Sequence, residues 1–204
     1  MITGIDVARL PLDVPLRCRC GRVRGVASDV SPSSGFRFVC YCKDCQAFAH
    51  FLERPDVLDP AGGTDIFQMP PACVKLTAGT ETVRCLRLSD KGVLRWYTDC
   101  CRTPIGNTAA SPRFPVVAVV HSFMIHGGDG RSRDEVLGPP LPHLRAFRRR
   151  APPAERARAA IARSIRPPHI EDIQLVGARA RSAVSALRRS YRCPARRSVC
   201  AHAE

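Results

Sequence analysis

Seven cysteines in three short clusters constrain this chain more than any other feature: Cys18-Arg19-Cys20-Gly21, Cys40-Tyr41-Cys42-Lys43-Asp44-Cys45, and the adjacent pair Cys100-Cys101. Side chains at i and i+2 of an extended segment leave the same face. Cys18 with Cys20, and Cys40 with Cys42, are therefore expected to aim two sulfurs each at one ion. Cys45 completes a three-residue turn back toward the ion of Cys40 and Cys42. Seven thiols divide into four on one ion and three on another. A four-ligand zinc is closed and structural, whereas three protein ligands leave a position open for water or substrate. Two zinc ions are expected, one structural and one catalytic.

A disulfide framework is the first alternative. Eleven cysteines is an odd count, and no basic n-region followed by an apolar h-region occurs in the first thirty residues, so a reducing, cytoplasmic setting with metal-bound thiols is expected. A second alternative is that both sites only staple a small β domain.

The rest of the chain reads as short strands. Leu16 to Cys20 and Val23 to Ala27 form a hairpin turned at Gly21, followed by a strand over Phe36 to Cys40. Asp44 is expected to cap a short helix running to about Leu52, since Cys45, Phe48, Ala49 and Leu52 share one helical face; this puts Cys45 in the first turn, where backbone N–H groups favour a thiolate. Asp65 to Met69, Cys73 to Thr77, Val83 to Leu88 and Val93 to Tyr97 are further β-prone runs between turn signals, and Val116 to Val120 is a continuous apolar run that predicts a buried strand. The fold class expected is mainly β: an open antiparallel domain held at its edge by zinc.

The motifs Arg17-Cys18-Arg19-Cys20-Gly21, Cys40-Tyr41-Cys42-Lys43-Asp44-Cys45-Gln46 and Trp96-Tyr97-Thr98-Asp99-Cys100-Cys101-Arg102-Thr103-Pro104, in that order, resemble the glutathione-dependent formaldehyde-activating enzyme family, whose domain is shared with centromere protein V. The resemblance spans about residues 14 to 125. It implies a tent-like, zinc-stapled β domain and a carbon–sulfur lyase acting on a glutathione-like thiol and a small aldehyde. Cys18 and Cys20, with the late cysteines, would hold the structural zinc; Cys40, Cys42 and Cys45 would hold the catalytic one. The late motif departs from the family pattern: Thr98 stands where the first cysteine is expected, Arg102 replaces a glycine, and Cys100 is the nearby thiol available to substitute. Neighbouring strand residues face opposite ways, so Cys100 and Cys101 reach one ion only if the backbone turns there.

The net charge of +14 is unevenly placed. Residues 1 to 143, assigned to the zinc-binding β domain, carry 17 basic and 14 acidic side chains, net +3; residues 144 to 204 carry 15 and 4, net +11. That Arg/Ala/Pro-rich extension is expected to be helical over 154 to 165 and 169 to 189 and frayed beyond; basic tracts are more often solvated tails, and this one, which can bind phosphate backbones weakly and without sequence preference, lacks interleaved aromatics for stacking bases. A noncatalytic scaffold whose basic tail binds nucleic acid or another acidic partner is thus a rival function, as is thiol-based metal handling or redox sensing. No apolar run reaches the length of a membrane span.

Weaker candidates complete the set. Cys73 and Cys85 lie on presumed strands as small buried hydrophobes, and Cys193 and Cys200 read as free thiols in the tail. His50, five residues past Cys45, is a candidate to approach the open ion, though a packing role is the commoner one for a helical histidine; His121 closes the apolar run and His126 lies beyond it, both candidate proton donors. Lys43 and Arg102, adjacent to the motifs, are candidate contacts for glutathione carboxylates.

Overall fold

Strand alternation sorts the apolar residues onto the two faces of one sheet, and that sorting organises the protein. We analysed a computed structural model, which describes residues 11–141 except 90, 91, 110, 112 and 129. The elements are β1 (Leu12–Arg17), β2 (Arg24–Val30), β3 (Phe36–Cys40), α1 (Lys43–Phe51), β4 (Thr64–Met69), β5 (Val74–Ala78), β6 (Val83–Leu86), β7 (Leu94–Thr98), β8 (Pro104–Thr108), β9 (Val117–Val120) and α2 (Arg133–Leu137). All strand pairs are antiparallel. They form a three-stranded sheet, β1-β2-β5, and a six-stranded sheet, β3-β4-β9-β8-β7-β6. The expected mainly β, open antiparallel class is what the chain adopts. The expected tail helices lie outside the described residues. Among the described residues no helix is long and apolar enough to cross a membrane.

The main core lies between the sheets. Val14, Leu16 and Ala27 from the small sheet, with Val23 just ahead of β2, meet Phe67, Met69, Val117 and Val119 from the large one. The alternate residues Ile66 and Ala118 face the other way and pack with Cys45 of α1, while Phe48 and Leu52 of the same helical face cover Leu86 and Tyr97. The six-stranded sheet is therefore sandwiched, with the small sheet on one face and α1 on the other. Its inner strand β9 is buried at every residue, which is why the sequence there is continuously apolar rather than alternating.

Three expectations are corrected. β1 ends at Arg17, so Cys18 and Cys20 lie on the turn after it rather than on a strand. The N-cap of α1 is Cys42, whose sulfur accepts from Cys45 N at 3.4 Å, not Asp44, which falls in the first turn. β8 and α2 were not anticipated. Proline opens β8, a tolerated first position, and Gly106 interrupts its pattern because a Cβ there would sit 2.7 Å from Ala118 O on β9. α2 carries a complete capping box, Ser132 to Glu135.

A buried charge pair fixes one edge. In β3 the exposed residue is Phe36, 63% accessible, and the buried one is Arg37. Arg37 donates to Asp65 on β4, with Nη2 to Oδ2 at 2.8 Å, and to Gly138 O at 2.8 Å, and it also pairs with Asp134 of α2. Burial alone would raise the Asp65 carboxyl, but hydrogen bonds from Arg37 and Arg133 hold it below the ordinary carboxylate range.

Candidate metal centres

Two hairpin ends, one from each sheet, build the first centre. Between β1 and β2 the chain turns at Gly21, φ +77°, a left-handed conformation suited to glycine, and Cys18 N donates to Val23 O at 3.0 Å. Between β7 and β8 a turn holds Asp99, Cys100 and Cys101, closed by Thr98 N to Thr103 O at 2.9 Å. The turn needed for adjacent cysteines to converge is thus present, and Arg102 provides it with φ +52° where a glycine would adopt it more cheaply. The sulfurs of Cys18, Cys20, Cys100 and Cys101 all lie within 4.8 Å of one another.

Their spacing tests whether a metal fits. Sulfurs at about 2.3 Å from a tetrahedral zinc are about 3.8 Å apart, and a disulfide is about 2.05 Å. The pairs here are 3.5 Å for Cys18–Cys20, 3.4 Å for Cys20–Cys100, and 3.9 Å for both Cys18–Cys100 and Cys100–Cys101. The four thiols fit one tetrahedral soft ion, and none of the nine described cysteines is in a disulfide.

Thr98 and Thr103, both fully buried, hold this turn in place. Thr98 Oγ1 accepts from Thr103 N at 3.1 Å and lies 3.4 Å from Cys101 Sγ; Thr103 Oγ1 lies 3.2 Å from the same sulfur. Thr103 Oγ1 also accepts from Arg19 N at 3.1 Å and from Arg54 Nη1 at 3.2 Å. Thr98 therefore braces the turn, and Cys100 completes the thiol set. Burial pushes Cys101 up, but hydrogen bonds from Thr103 and Thr98 outweigh it and bring it down to about 5; Cys100 is pushed up to about 12, by burial first and then by contact with Cys20.

The second centre is local. Cys40 ends β3, Cys42 caps α1 from an extended backbone, and Cys45 lies in the first helical turn. Their three sulfurs fall within 4.8 Å of one another, with Cys40 and Cys42 3.3 Å apart. Cys45 is buried, Cys40 half-buried and Cys42 exposed, so the cluster faces solvent on the Cys42 side. Hydrogen bonding to Cys40 and then Cys45 draws the Cys42 thiol far below its ordinary range, while the same two neighbours and then burial push Cys45 well above it. Behind Cys45 is a buried arginine that sequence reading passed over, Arg95 of β7, whose Nη1 donates to Cys45 Sγ at 3.7 Å and to Asn107 Oδ1 at 3.2 Å.

The weaker candidates lie elsewhere. Arg102 pairs with Glu53 at 2.8 Å beside the four-thiol turn; Lys43 is exposed on α1 and His50 is in its last turn. His121 Nδ1 is 3.2 Å from the backbone oxygen of Asp65, and His126, lowered to about 4 by burial and then by Arg133, has two buried ring nitrogens without a hydrogen-bond partner among the described residues. None of these histidines belongs to either thiol cluster. Cys73 and Cys85 are buried, as expected, and burial pushes the Cys85 thiol up to about 12.

Together these features define a two-sheet antiparallel β protein with one four-thiol and one three-thiol cluster, both able to hold a metal ion. A family of unknown function, DUF6151, matches residues 11–187. The chain belongs to that family. No curated protein matches it.

Proposed function

We propose that the protein is a zinc-dependent carbon–sulfur lyase acting on the adduct of a small thiol and a small aldehyde, working in the reducing cytoplasm. The observation that carries this reading is the inequality of the two clusters: four thiols close one centre, whereas Cys40, Cys42 and Cys45 leave one position and one solvent-facing side. All-sulfur tetrahedral sites select zinc among the common divalent ions. The motif order that resembles the formaldehyde-activating enzymes supports the same division, with Cys18, Cys20, Cys100 and Cys101 holding a structural ion. Zinc in the three-thiol centre would supply a soft Lewis-acidic position at which a substrate thiol is held as thiolate. Cys42 keeps that position accessible; α1, through Phe48 and Leu52, fixes Cys45 against the sheet. In the net reaction a sulfur–carbon bond forms to the aldehyde carbonyl carbon, and the thiol proton ends on the carbonyl oxygen as the hydroxyl of a hemithioacetal; the reverse reaction breaks that bond.

Metal analysis of purified protein should give two zinc ions per chain, and one in Cys42→Ser. Calorimetry with a panel of thiols, glutathione included, should show binding to wild type and none to Cys42→Ser. NMR exchange with formaldehyde or glyoxylate should show adduct turnover above the spontaneous rate. Fully metallated protein that binds no thiol and accelerates no aldehyde exchange would overturn the lyase reading and favour a zinc-stapled scaffold.

A further inference from the structure

The arginines Arg37 and Arg54 are buried in close contact with carboxylates: Arg37 reaches Asp65 at 2.8 Å and Arg54 reaches Asp56 at 2.7 Å. Arg95 is different. Its side chain is 4% exposed, and among the described residues its one paired carboxylate, Asp44, stands off at 4.0 Å. What touches the guanidinium instead is Cys45 Sγ, Asn107 Oδ1 and, at 5.5 Å from its centre, the ring of Phe48. A guanidinium keeps its proton in proteins, and a buried cation is costly unless an anion accompanies it. The group placed to serve is the three-thiol cluster. Three thiolates around a divalent ion carry a net charge of one negative unit, which Arg95 offsets.

We propose that Arg95 is the counter-charge of the Cys40–Cys42–Cys45 centre and makes its fourth position selective for an anionic, thiolate-class ligand over a neutral one. This rests on the open-centre reading above. Counting the thiolates, the ion and Arg95, and leaving aside Asp44, which is the same in both cases, a thiolate arriving at that position takes the charge from one negative unit to two without Arg95 and from zero to one negative unit with it. A neutral ligand gains nothing from either state. Arg95 acts through Cys45, whose sulfur is 3.7 Å from its Nη1, and through the field: at an effective dielectric constant of about 20, a unit charge ~7 Å away still changes affinity by about tenfold or more. It is a positioning residue.

Cobalt-loaded full-length wild type, Arg95→Met and Arg95→Lys are titrated with 2-mercaptoethanol and, separately, imidazole, following the cobalt ligand-field and sulfur charge-transfer bands. The closed four-thiol centre contributes a constant background. Arg95→Met should weaken the thiol by at least about tenfold while imidazole stays within about threefold, and Arg95→Lys should recover most of the thiol affinity. Equal weakening of both ligands, or of neither, would overturn the inference while leaving the open centre standing. Wild type that binds neither ligand would overturn the open centre, and this inference with it. Should Arg95→Met fail to fold, Arg95→Gln carries the same comparison.

Discussion

The four-thiol and three-thiol clusters use the same ligand atom to opposite structural ends. The first joins Cys18 to Cys101 across most of the described chain and ties the β1–β2 end to the β7–β8 end, one from each sheet. An ion there closes a long loop and contributes directly to folding. The second spans Cys40 to Cys45, residues already brought together by the junction of β3 and α1. An ion there constrains little that the backbone has not already constrained. Thiol chemistry that loads, exchanges or loses a ligand is tolerable where the fold does not depend on it.

The sharpest way to break this comparison is Cys18→Ser. Structural zinc is worth about 10–16 kcal/mol in small metal-folded domains, so this variant is expected to lose cooperative unfolding or solubility; a native near-UV circular dichroism spectrum with only the three-thiol ion bound would show the clusters are not so divided. Asp65→Asn offers a metal-independent scale, because it removes the main partner of buried Arg37 and should cost about 3 kcal/mol in urea unfolding. The sign with pH follows from the depressed Asp65 carboxyl: its stabilisation is present above the unfolded value of about 3.9 and is lost as pH falls through the lower folded value. Asp65→Asn should therefore flatten the acid limb of the stability profile below about pH 4. Cys45→Ser should release one metal ion per chain yet cost under about 2 kcal/mol, measured by paired metal analysis and urea titration; a loss as large as that of Cys18→Ser would make both centres structural. The smallest effect is expected at Arg102, held at φ +52°. Arg102→Gly should be neutral to stabilising by about 0.5–1 kcal/mol, since the exposed pair with Glu53 is weak.

Much of this was legible in the sequence because it was local or periodic. Cys40, Cys42 and Cys45 converge from six consecutive residues, and the apolar run ending at Val120 marks the inner strand. What escaped was set by long-range pairing. Arg95 shares a strand face with buried Tyr97, but Leu94 and Trp96 on the other face are apolar too, so the sequence does not say which face is covered, and the role of Arg95 depends on α1 lying across its side. Arg37 and Asp65 find each other only through the β3–β4 register, in which Val39 opposes Asp65. The capping box of α2 was readable, yet five residues gave too little periodicity to call attention to it.

Cys42 has a second consequence as the N-cap of α1. Helices usually begin on a hydroxyl or carboxylate with no other duty, whereas this one begins on a sulfur that also belongs to the three-thiol cluster. The strength of its hydrogen bond from Cys45 N follows the electron density on that sulfur. A proton, an oxidant or a metal at Cys42 draws on the same sulfur that accepts this bond, and Phe48 and Phe51 of the same helix lie edge-on to Tyr97. The solvent-facing sulfur of the cluster is thus also the atom on which the helix covering that face of the sheet begins.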